Sequence, residues 1–225
     1  MEQHSRTISL IGEENFAKIA NKKVMILGIG GVGGYVCEAL ARAGIGDFIL
    51  IDNDVVSKSN INRQIIALHS TIGRKKVDVM KDRILDINPH AKVDAICQFL
   101  SEETINSMAF DVDYVIDCID NITAKIALAK RADIDGFNLI SCMGTGNKLK
   151  PEMFEITDIY KTSVCPLAKV MRKKLKDLGV KKLTVLYSKE EPIKNGQERI
   201  PASISFTPSI AGLRIAEYVI KEFKK

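Results

Sequence analysis

The sequence predicts an α/β fold: a Rossmann-like, doubly wound sheet that is mostly parallel and carries helices on both faces. Three observations predict it. Short apolar runs of strand length alternate with amphipathic stretches of helical length. A glycine-rich turn, Gly28-Ile29-Gly30-Gly31-Val32-Gly33, separates the first apolar run from the first amphipathic stretch. Neither a repeat nor a linker rich in Pro, Gly or Ser interrupts the 225 residues, so we expect a single domain.

Residues 1–150 are expected to form consecutive β-α-β units that make a nucleotide-binding core. Apolar runs predict strands at Val24–Leu27, Phe48–Ile51, Val93–Ile96, Tyr114–Ile116 and Leu139–Met143. Amphipathic stretches predict helices at Val32–Ala43, Lys75–Ile87 and Ile122–Ala132. Gly44 can end the first helix because glycine readily adopts a positive φ, and Pro89 follows the second because the residue before a proline disfavours helical backbone.

Residues 151–225 follow a less regular pattern and are expected to form an extension that completes the site. Strands are predicted at Met153–Ile156 and Leu183–Tyr187, on either side of a basic helix at Ala168–Leu178. A closing amphipathic helix is predicted at Pro208–Phe223. The extension should therefore add strands and helices to the sheet of the core.

Composition excludes several classes of protein. A hydrophobic content of 46% with 27% charged residues is ordinary for globular proteins and excludes a disordered chain. No window approaches the roughly 18 apolar residues of a membrane span, and the N-terminal segment is too polar for a signal peptide. The cysteines are odd in number and widely spaced along the chain, which argues for reduced thiols and against a CxxC zinc site. We expect a cytoplasmic protein without zinc and without membrane contact.

The glycine turn indicates a nucleotide. Gly28, Gly30, Gly31 and Gly33 would let the backbone approach a phosphate at a helix N-terminus, where free N–H groups favour anions. Asp52 follows the second strand and could accept hydrogen bonds from ribose hydroxyls. A nicotinamide-dependent dehydrogenase would show the same pattern, and glycines that only permit tight packing would show part of it. The motif alone does not say which nucleotide binds.

A second set of residues narrows the chemistry. Arg63 lies in the segment Ser59–Gln64, Lys76 follows further along the chain, and Asp120 follows the fourth strand. Attack of a carboxylate on an α-phosphate brings two anions together, and cations with an aspartate-held metal would stabilise that charge. Singly, Arg63 could form a surface salt bridge, Asp120 could cap a helix and Lys76 could be a solvated charge. Together they predict catalytic residues for adenylation.

These motifs resemble the ubiquitin-activating-enzyme superfamily, whose members adenylate carboxylates with ATP and magnesium. The resemblance rests on the glycine turn, Asp52-x-Asp54, Ser59-Asn60-x-Asn62-Arg63-Gln64, Thr71-Ile72-Gly73-x-x-Lys76 and Ile119-Asp120-Asn121. It implies a single ThiF-type adenylating domain with ATP and Mg²⁺ as cofactors. It also implies that Asp120 binds Mg²⁺ and that the other nucleotide contacts come from Gly30, Asp52, Asp54, Asn60, Arg63, Lys76 and Asn121.

Within the superfamily, further features are similar to the tRNA threonylcarbamoyladenosine dehydratases. They include Arg6-x-x-x-Leu10-Ile11-Gly12, Ile87-Asn88-Pro89 and Asp158-Ile159-x-Lys161-Thr162. That family activates the side-chain carboxylate of a modified adenosine beside the anticodon and closes it into a ring. Missing paired CxxC ligands and missing long catalytic-cysteine domains favour this branch. Three alternatives stay open: an adenylyltransferase for the Gly-Gly end of a sulfur carrier, a non-catalytic nucleotide-binding partner, and a nicotinamide-dependent dehydrogenase. The dehydrogenase would leave Arg63, Lys76 and Asp120 unexplained.

Two further predictions concern residues outside the glycine turn. Cys165 is a candidate thioester nucleophile, although ring closure within one substrate needs none; the other cysteines, Cys97 included, are expected in the core. A basic run predicts contact with tRNA phosphates through Lys169, Arg172, Lys173, Lys174, Lys176, Lys181 and Lys182. A solvated helix face would also explain it.

The resemblance also implies a homodimer in which Arg6 serves the neighbouring subunit's site. Arg6 lies well ahead of the glycine turn and, by the predicted pattern, before the first helix. In its own subunit it has no evident reason to reach a phosphate. The alternative is a surface arginine in a frayed N-terminus. A sulfur-transfer protein is a further possible partner.

Overall fold

A seven-stranded sheet forms the centre of the protein in the computed structural model, which describes residues 2–193 and 201–225. The strands are β1 Lys23–Leu27, β2 Asp47–Ile51, β3 Lys92–Ile96, β4 Tyr114–Asp117, β5 Leu139–Cys142, β6 Phe154–Asp158 and β7 Thr184–Ser188. Their order across the sheet is β3-β2-β1-β4-β5-β7-β6. All neighbouring strands run parallel except β6, which pairs antiparallel with β7. The predicted fold class is confirmed.

Helices cover both faces of the sheet. They are α1 Ser5–Ile11, α2 Glu13–Ala20, α3 Gly33–Ala43, α4 Lys76–Ile87, α5 Glu102–Ser107, α6 Ile122–Asp135, α7 Pro166–Asp177 and α8 Phe206–Phe223. Helices α3, α4 and α8 share one hydrophobic core with Val24 and Ile26 of β1. Helices α5, α6 and α7 share the other with Met25 and Leu27. Alternate residues of one strand thus face opposite cores. Among the described residues, no helix is both long and apolar enough to cross a bilayer.

The strand order reverses direction at β1, and this fixes where a ligand can bind. From β1 the chain proceeds through β2 to β3 on one side and later resumes with β4 on the other. Leu27 at the end of β1 lies beside Ile51 of β2 and Asp117 of β4. The loops that leave these three strands diverge, and a crevice opens between them.

A charged cluster joins α3 to α4 beside the core. The buried Glu38 carboxylate accepts hydrogen bonds from Arg42 at 2.7 Å and Arg83 at 2.6 Å. Burial alone would raise the pKa of Glu38, but the hydrogen bonds and charges of Arg83 and Arg42 outweigh it and hold that pKa below its ordinary value. The cluster therefore stabilises the fold in its ionised form.

The predicted elements are found within a few residues of their predicted bounds, and two predictions are wrong. Arg6 does not precede the first helix but lies inside α1. This helix is short and has no buried residues, so its segment of the sequence shows no apolar periodicity. Cys97 is exposed rather than buried, because it follows the last residue of the edge strand β3. Helices α2 and α5 were also not predicted; both are short and bury one residue each.

Candidate functional site

A cavity of about 600 Å³ lies at the carboxyl ends of β1, β2 and β4. Ten residues predicted to act on a nucleotide line it: Gly28, Gly30, Gly31, Asp52, Asp54, Asn60, Arg63, Lys76, Asp120 and Asn121. The extension contributes Pro201, Ser203 and Pro208 to the same wall. Separate stretches of chain thus meet around one space, because the parallel strands place their outgoing loops at a common edge.

The glycines of the turn have different physical roles. Gly28 has φ +90°, and a Cβ there would lie 2.6 Å from the Cys118 carbonyl oxygen. A Cβ on Gly33 would lie 1.9 Å from the carbonyl oxygen of Gly28. Both residues therefore permit close backbone packing. A Cβ on Gly30 would meet nothing nearer than the Gln64 amide nitrogen at 4.0 Å, so this part of the turn stays open toward the cavity at the start of α3.

Asp52 joins the glycine turn to the loop that follows β2. One carboxylate oxygen accepts a hydrogen bond from the Ile29 amide at 2.6 Å, and the other accepts one from the Asp54 amide at 2.8 Å. Burial raises the pKa of this carboxyl, and the Lys76 charge and the two amides offset the rise only in part. Asp52 thus shapes the glycine turn in addition to lining the space where a ribose is predicted.

Lys76 is a buried cation in the cavity wall. Its ammonium lies 2.6 Å from a carboxylate oxygen of Asp54, and its side chain is 6% exposed against 58% for Asp54. The alternative that Lys76 is a solvated helix charge is therefore wrong. Because Lys76 and Asp54 both line the cavity, an anion bound there can compete with Asp54 for the ammonium.

The groups of the described chain that hold Arg63 are neutral. Its guanidinium donates to the Ser59 carbonyl oxygen at 3.0 Å and to the Asn62 side-chain oxygen at 2.9 Å. Within residues 2–193 and 201–225, no carboxylate pairs with it. The alternative of a surface salt bridge is thus not found. Next to it, Gln64 is buried and lines the cavity, and its side-chain oxygen accepts no hydrogen bond from the described part of the chain. Gln64 was not predicted as a site residue.

The neighbouring residues Asp120 and Asn121 have different roles: Asn121 caps α6, and Asp120 faces the cavity. The Asn121 side-chain oxygen accepts hydrogen bonds from the amides of Thr123 at 2.9 Å and Ala124 at 3.1 Å, and so caps α6. The alternative of Asp120 as the cap is wrong. The Asp120 carboxylate is exposed on the cavity and is not hydrogen-bonded or ion-paired within the described residues.

A buried ion pair supports the turn that carries Asp120. Lys125 of α6 donates to Asp117 at 2.9 Å and to the Cys142 carbonyl oxygen at 2.8 Å, and the side chains of Lys125 and Asp117 are both 1% exposed. The second Asp117 oxygen accepts from the Ile119 amide at 2.9 Å. This pair was missed. The feature that could have predicted it is a lysine on the apolar side of a helix, between Ala124 and Leu128, which needs a buried anion as its partner.

Two other predicted residues do not line the cavity. Cys165 is 1% exposed, precedes α7 and does not line the cavity. Arg6 is exposed on α1 and does not line it either. Within the described residues, no group of three or more His, Cys, Asp or Glu side chains is arranged to hold a metal ion.

The basic run is mostly exposed on α7. Lys169, Lys173, Lys174 and Lys176 are exposed and form no ion pair within the described residues. Arg172 differs from them, because it is half-buried and donates to the backbone oxygen of Thr162 at 2.9 Å and to its hydroxyl. Lys182 lines a second cavity of about 290 Å³ with the first residues of β4, β5 and β7, at the edge of the sheet opposite the main cavity.

Comparisons with known proteins give a consistent result. The model of the ThiF family matches residues 3–224. A tRNA threonylcarbamoyladenosine dehydratase from Bacillus subtilis (strain 168) is 42% identical over 100% of this chain and 96% of that protein. A protein of the same name from Escherichia coli (strain K12) is 39% identical over 78% of this chain and 66% of its own. A crystal structure of the Escherichia coli dehydratase in complex with ATP has a TM-score of 0.93 at 32% identity, and covers 99% of this chain and 93% of that one.

Proposed function

The chain belongs to the ThiF family, and from that premise we propose that it is an ATP-dependent tRNA threonylcarbamoyladenosine dehydratase. One observation carries the proposal: a single cavity gathers the open glycine turn, Arg63, the buried Lys76 and the exposed Asp120. The full-length similarity to the Bacillus subtilis dehydratase supplies the substrate. Residues 1–150 would hold the nucleotide, and the extension would complete the wall.

The reaction has two steps that balance as an ATP-driven dehydration. The threonylcarbamoyl carboxylate attacks the α-phosphorus of ATP, and pyrophosphate leaves. A nucleophile within the same threonylcarbamoyl group then attacks the activated carbonyl, with loss of AMP and a proton, and a ring forms. Arg63 and Lys76 would stabilise the negative charge where the two anions meet. Since ring closure is intramolecular, proximity replaces a protein nucleophile, and the buried Cys165 stays only a prediction.

The residues around the cavity fit a magnesium-bound nucleotide. Mg²⁺ on a nucleotide is typically held by one or two carboxylates together with the phosphates, so a three-ligand cluster is not required. Asp120 is an exposed carboxylate on the cavity with no described partner to displace. We assign it to Mg²⁺, which when bound would neutralise phosphate charge. The Asn121 oxygen already caps α6, which leaves its amide N–H groups for the nucleotide.

We also propose that the exposed lysines of α7 bind the anticodon stem. The helix has 12 residues and spans about 18 Å. The chain leads from the end of α7 to the start of β7, at the end of the strands opposite the main cavity. Lys182 lines the second cavity there. A stem that follows these lysines would keep its loop free to enter the cavity. Phosphate contacts of this kind position a nucleic acid without reading its sequence.

Arg6 is assigned to a two-fold dimer. Arg6 is exposed on α1 and does not line the cavity of its own subunit. We propose that it enters the partner subunit's site, where a second cation would stabilise phosphoryl charge. Arg6→Ala and Asp120→Ala proteins should each be nearly inactive. Mixing equal amounts forms about half heterodimers with one intact site each, so about a quarter of wild-type activity should return. With exchange shown separately, no recovery contradicts the assignment.

The substrate implies the compartment and the direct experiment. A protein that modifies tRNA is expected in the cytoplasm; a sulfur-transfer partner stays a prediction. Nucleosides should be analysed by mass spectrometry from cells that lack and then regain this protein, under conditions that preserve a labile ring. The cyclic form should disappear and return. Unchanged nucleosides would favour the alternative of an adenylyltransferase for a sulfur carrier.

A further inference from the structure

Asn147, in the loop after β5, joins chain segments that are distant in sequence. Its backbone amide donates to the Ala202 carbonyl oxygen at 2.7 Å, and its side-chain oxygen accepts from the Ala202 amide at 2.7 Å. Its own carbonyl oxygen accepts from the Ile193 amide at 2.8 Å. One residue thus fixes the backbone on each side of residues 194–200.

The backbone of Asn147 is in a conformation that most residues avoid. Its φ is +56°, and only one other non-glycine residue of the described chain, Val164, has a positive φ. Asparagine and aspartate tolerate this region better than other side chains. In this conformation the amide and the side-chain oxygen bond to the same residue, Ala202.

The segment that Asn147 holds is a wall of the main cavity. Pro201 and Ser203 line the cavity on either side of Ala202. Gly146, which also lines it, packs against Pro201 so closely that a Cβ would lie 2.7 Å from the proline Cβ. From the other direction, the Asn62 side chain donates to the Ser203 carbonyl oxygen at 3.0 Å. We call residues 201–203 the outer wall.

The outer wall lies on the side of the cavity away from the ribose position. Asp52 follows β2, whereas Thr145 and Gly146 follow β5, and β1 and β4 lie between these two strands. Through Asn62 the wall adjoins Arg63. Through Gly146 it packs against the loop that follows β5, and β5 lies beside β4, the strand that Asp120 follows. It therefore borders the place where phosphate and carboxylate would meet.

From this placement we infer that Asn147 is a positioning residue for the acceptor substrate. By holding the outer wall it sets the space that receives the threonylcarbamoyl group. Within the described residues, the wall has no hydrogen bond to Asp52 or to the glycine turn, and it reaches Arg63 only through Asn62. The inference rests on the proposed function for the identity of the acceptor. The structural part of the inference, that the Asn147 side chain fixes the backbone at Ala202, does not depend on the proposed function.

Three variants separate the side chain from the backbone conformation. Asn147→Asp keeps the acceptor oxygen and tolerates the positive φ. Asn147→Gly keeps the positive φ and loses the oxygen, and Asn147→Ala loses both advantages. Each protein is tested for melting temperature, for ATP affinity by calorimetry, for kcat and KM with threonylcarbamoylated tRNA, and for hydrogen exchange at the Ala202 amide.

We expect Asn147→Asp to protect the Ala202 amide as the wild type does, because it keeps the acceptor oxygen. Asn147→Gly should bind ATP within about twofold of wild type but lose about tenfold or more in kcat/KM for tRNA, because small displacements of a positioning element are costly to rate. Its Ala202 amide should exchange faster. Normal tRNA kinetics in Asn147→Gly, or a parallel loss of ATP affinity and melting temperature, would overturn the inference.

The exchange measurement keeps this test separate from the proposed function. If the wild type itself does not act on the tRNA, the proposed function fails, and exchange at Ala202 still decides whether the side chain holds the wall. If Asn147→Ala does not fold, the aspartate and glycine variants still carry the comparison. Equal protection of Ala202 in all folded variants would contradict the structural part.

Discussion

Replacing Lys125 with methionine removes the cation from a buried ion pair and leaves the Asp117 carboxylate in the protein interior. Both side chains are 1% exposed, so water cannot take over the role of the lost ammonium. The Cys142 carbonyl oxygen also loses its donor. Removing one partner of a buried pair typically destabilises a protein by about 3–5 kcal/mol. Since about 1 kcal/mol shifts the melting temperature of a chain this long by about 2–4 °C, we expect Tm to fall by about 6–20 °C.

A double variant and a control isolate the cause. Asp117→Asn combined with Lys125→Met removes both charges and keeps an oxygen that can accept from the Ile119 amide. Its free energy of unfolding should lie about 2 kcal/mol or more above that of Lys125→Met alone. Lys130→Met, at an exposed position of the same helix, should stay within about 0.5 kcal/mol of wild type.

Urea unfolding followed by circular dichroism, together with differential scanning calorimetry, measures these differences. The reasoning is refuted if Lys125→Met unfolds at the same urea concentration as Lys130→Met. It is also refuted if the double variant is less stable than Lys125→Met by the full effect of Asp117→Asn, because the two residues would then act independently.

Three other predictions follow from the site and its surroundings. Asp120→Ala should lower turnover by about 10² or more with a near-normal melting temperature, since an exposed metal-holding carboxylate contributes to chemistry and little to the core; full turnover would remove the assignment. Changing Lys173, Lys174 and Lys176 to Glu should raise KM for tRNA. The slope of log affinity against log salt concentration should become less steep by about 0.7–0.9 for each lost phosphate contact. Unchanged tRNA kinetics would show that these lysines form an ordinary solvated helix face. Because the pKa of Glu38 lies below its ordinary value of 4.5 in the folded protein, its stabilising effect is present above pH 4.5 and lost as pH falls through the lowered pKa; Glu38→Gln should therefore be less stable than wild type at pH 7 and approach it in acid, and a pH-independent difference in urea unfolding would contradict this.

The sequence predicted the elements whose patterns are long and regular. β1 and β2 are apolar runs in a parallel sheet, and α3 and α4 show helical periodicity between a glycine turn and a proline, so local composition was sufficient. Helices α1 and α5 were missed because each buries at most one residue and leaves no periodic signal. Composition alone also could not show that β7 inserts between β5 and β6.

The site was predicted as a set of residues more completely than as a set of interactions. Motif spacing brought the glycine turn, Arg63, Lys76 and Asp120 together correctly, because strand ends of a parallel sheet share one edge. It could not show that Asn121 rather than Asp120 caps α6, since both residues suit a cap. Nor could it find Asn147 opposite Ala202, a contact between residues far apart in the chain.

The release of AMP tests the central claim most directly. Purified protein is incubated with ATP, Mg²⁺ and one of three acceptors: tRNA carrying threonylcarbamoyladenosine, the same tRNA without that group, or a carrier protein ending in Gly-Gly. AMP and pyrophosphate are then quantified. The proposed function predicts stoichiometric AMP with the first acceptor and none above background with the other two. Equal AMP from unmodified tRNA or from the carrier protein would contradict it.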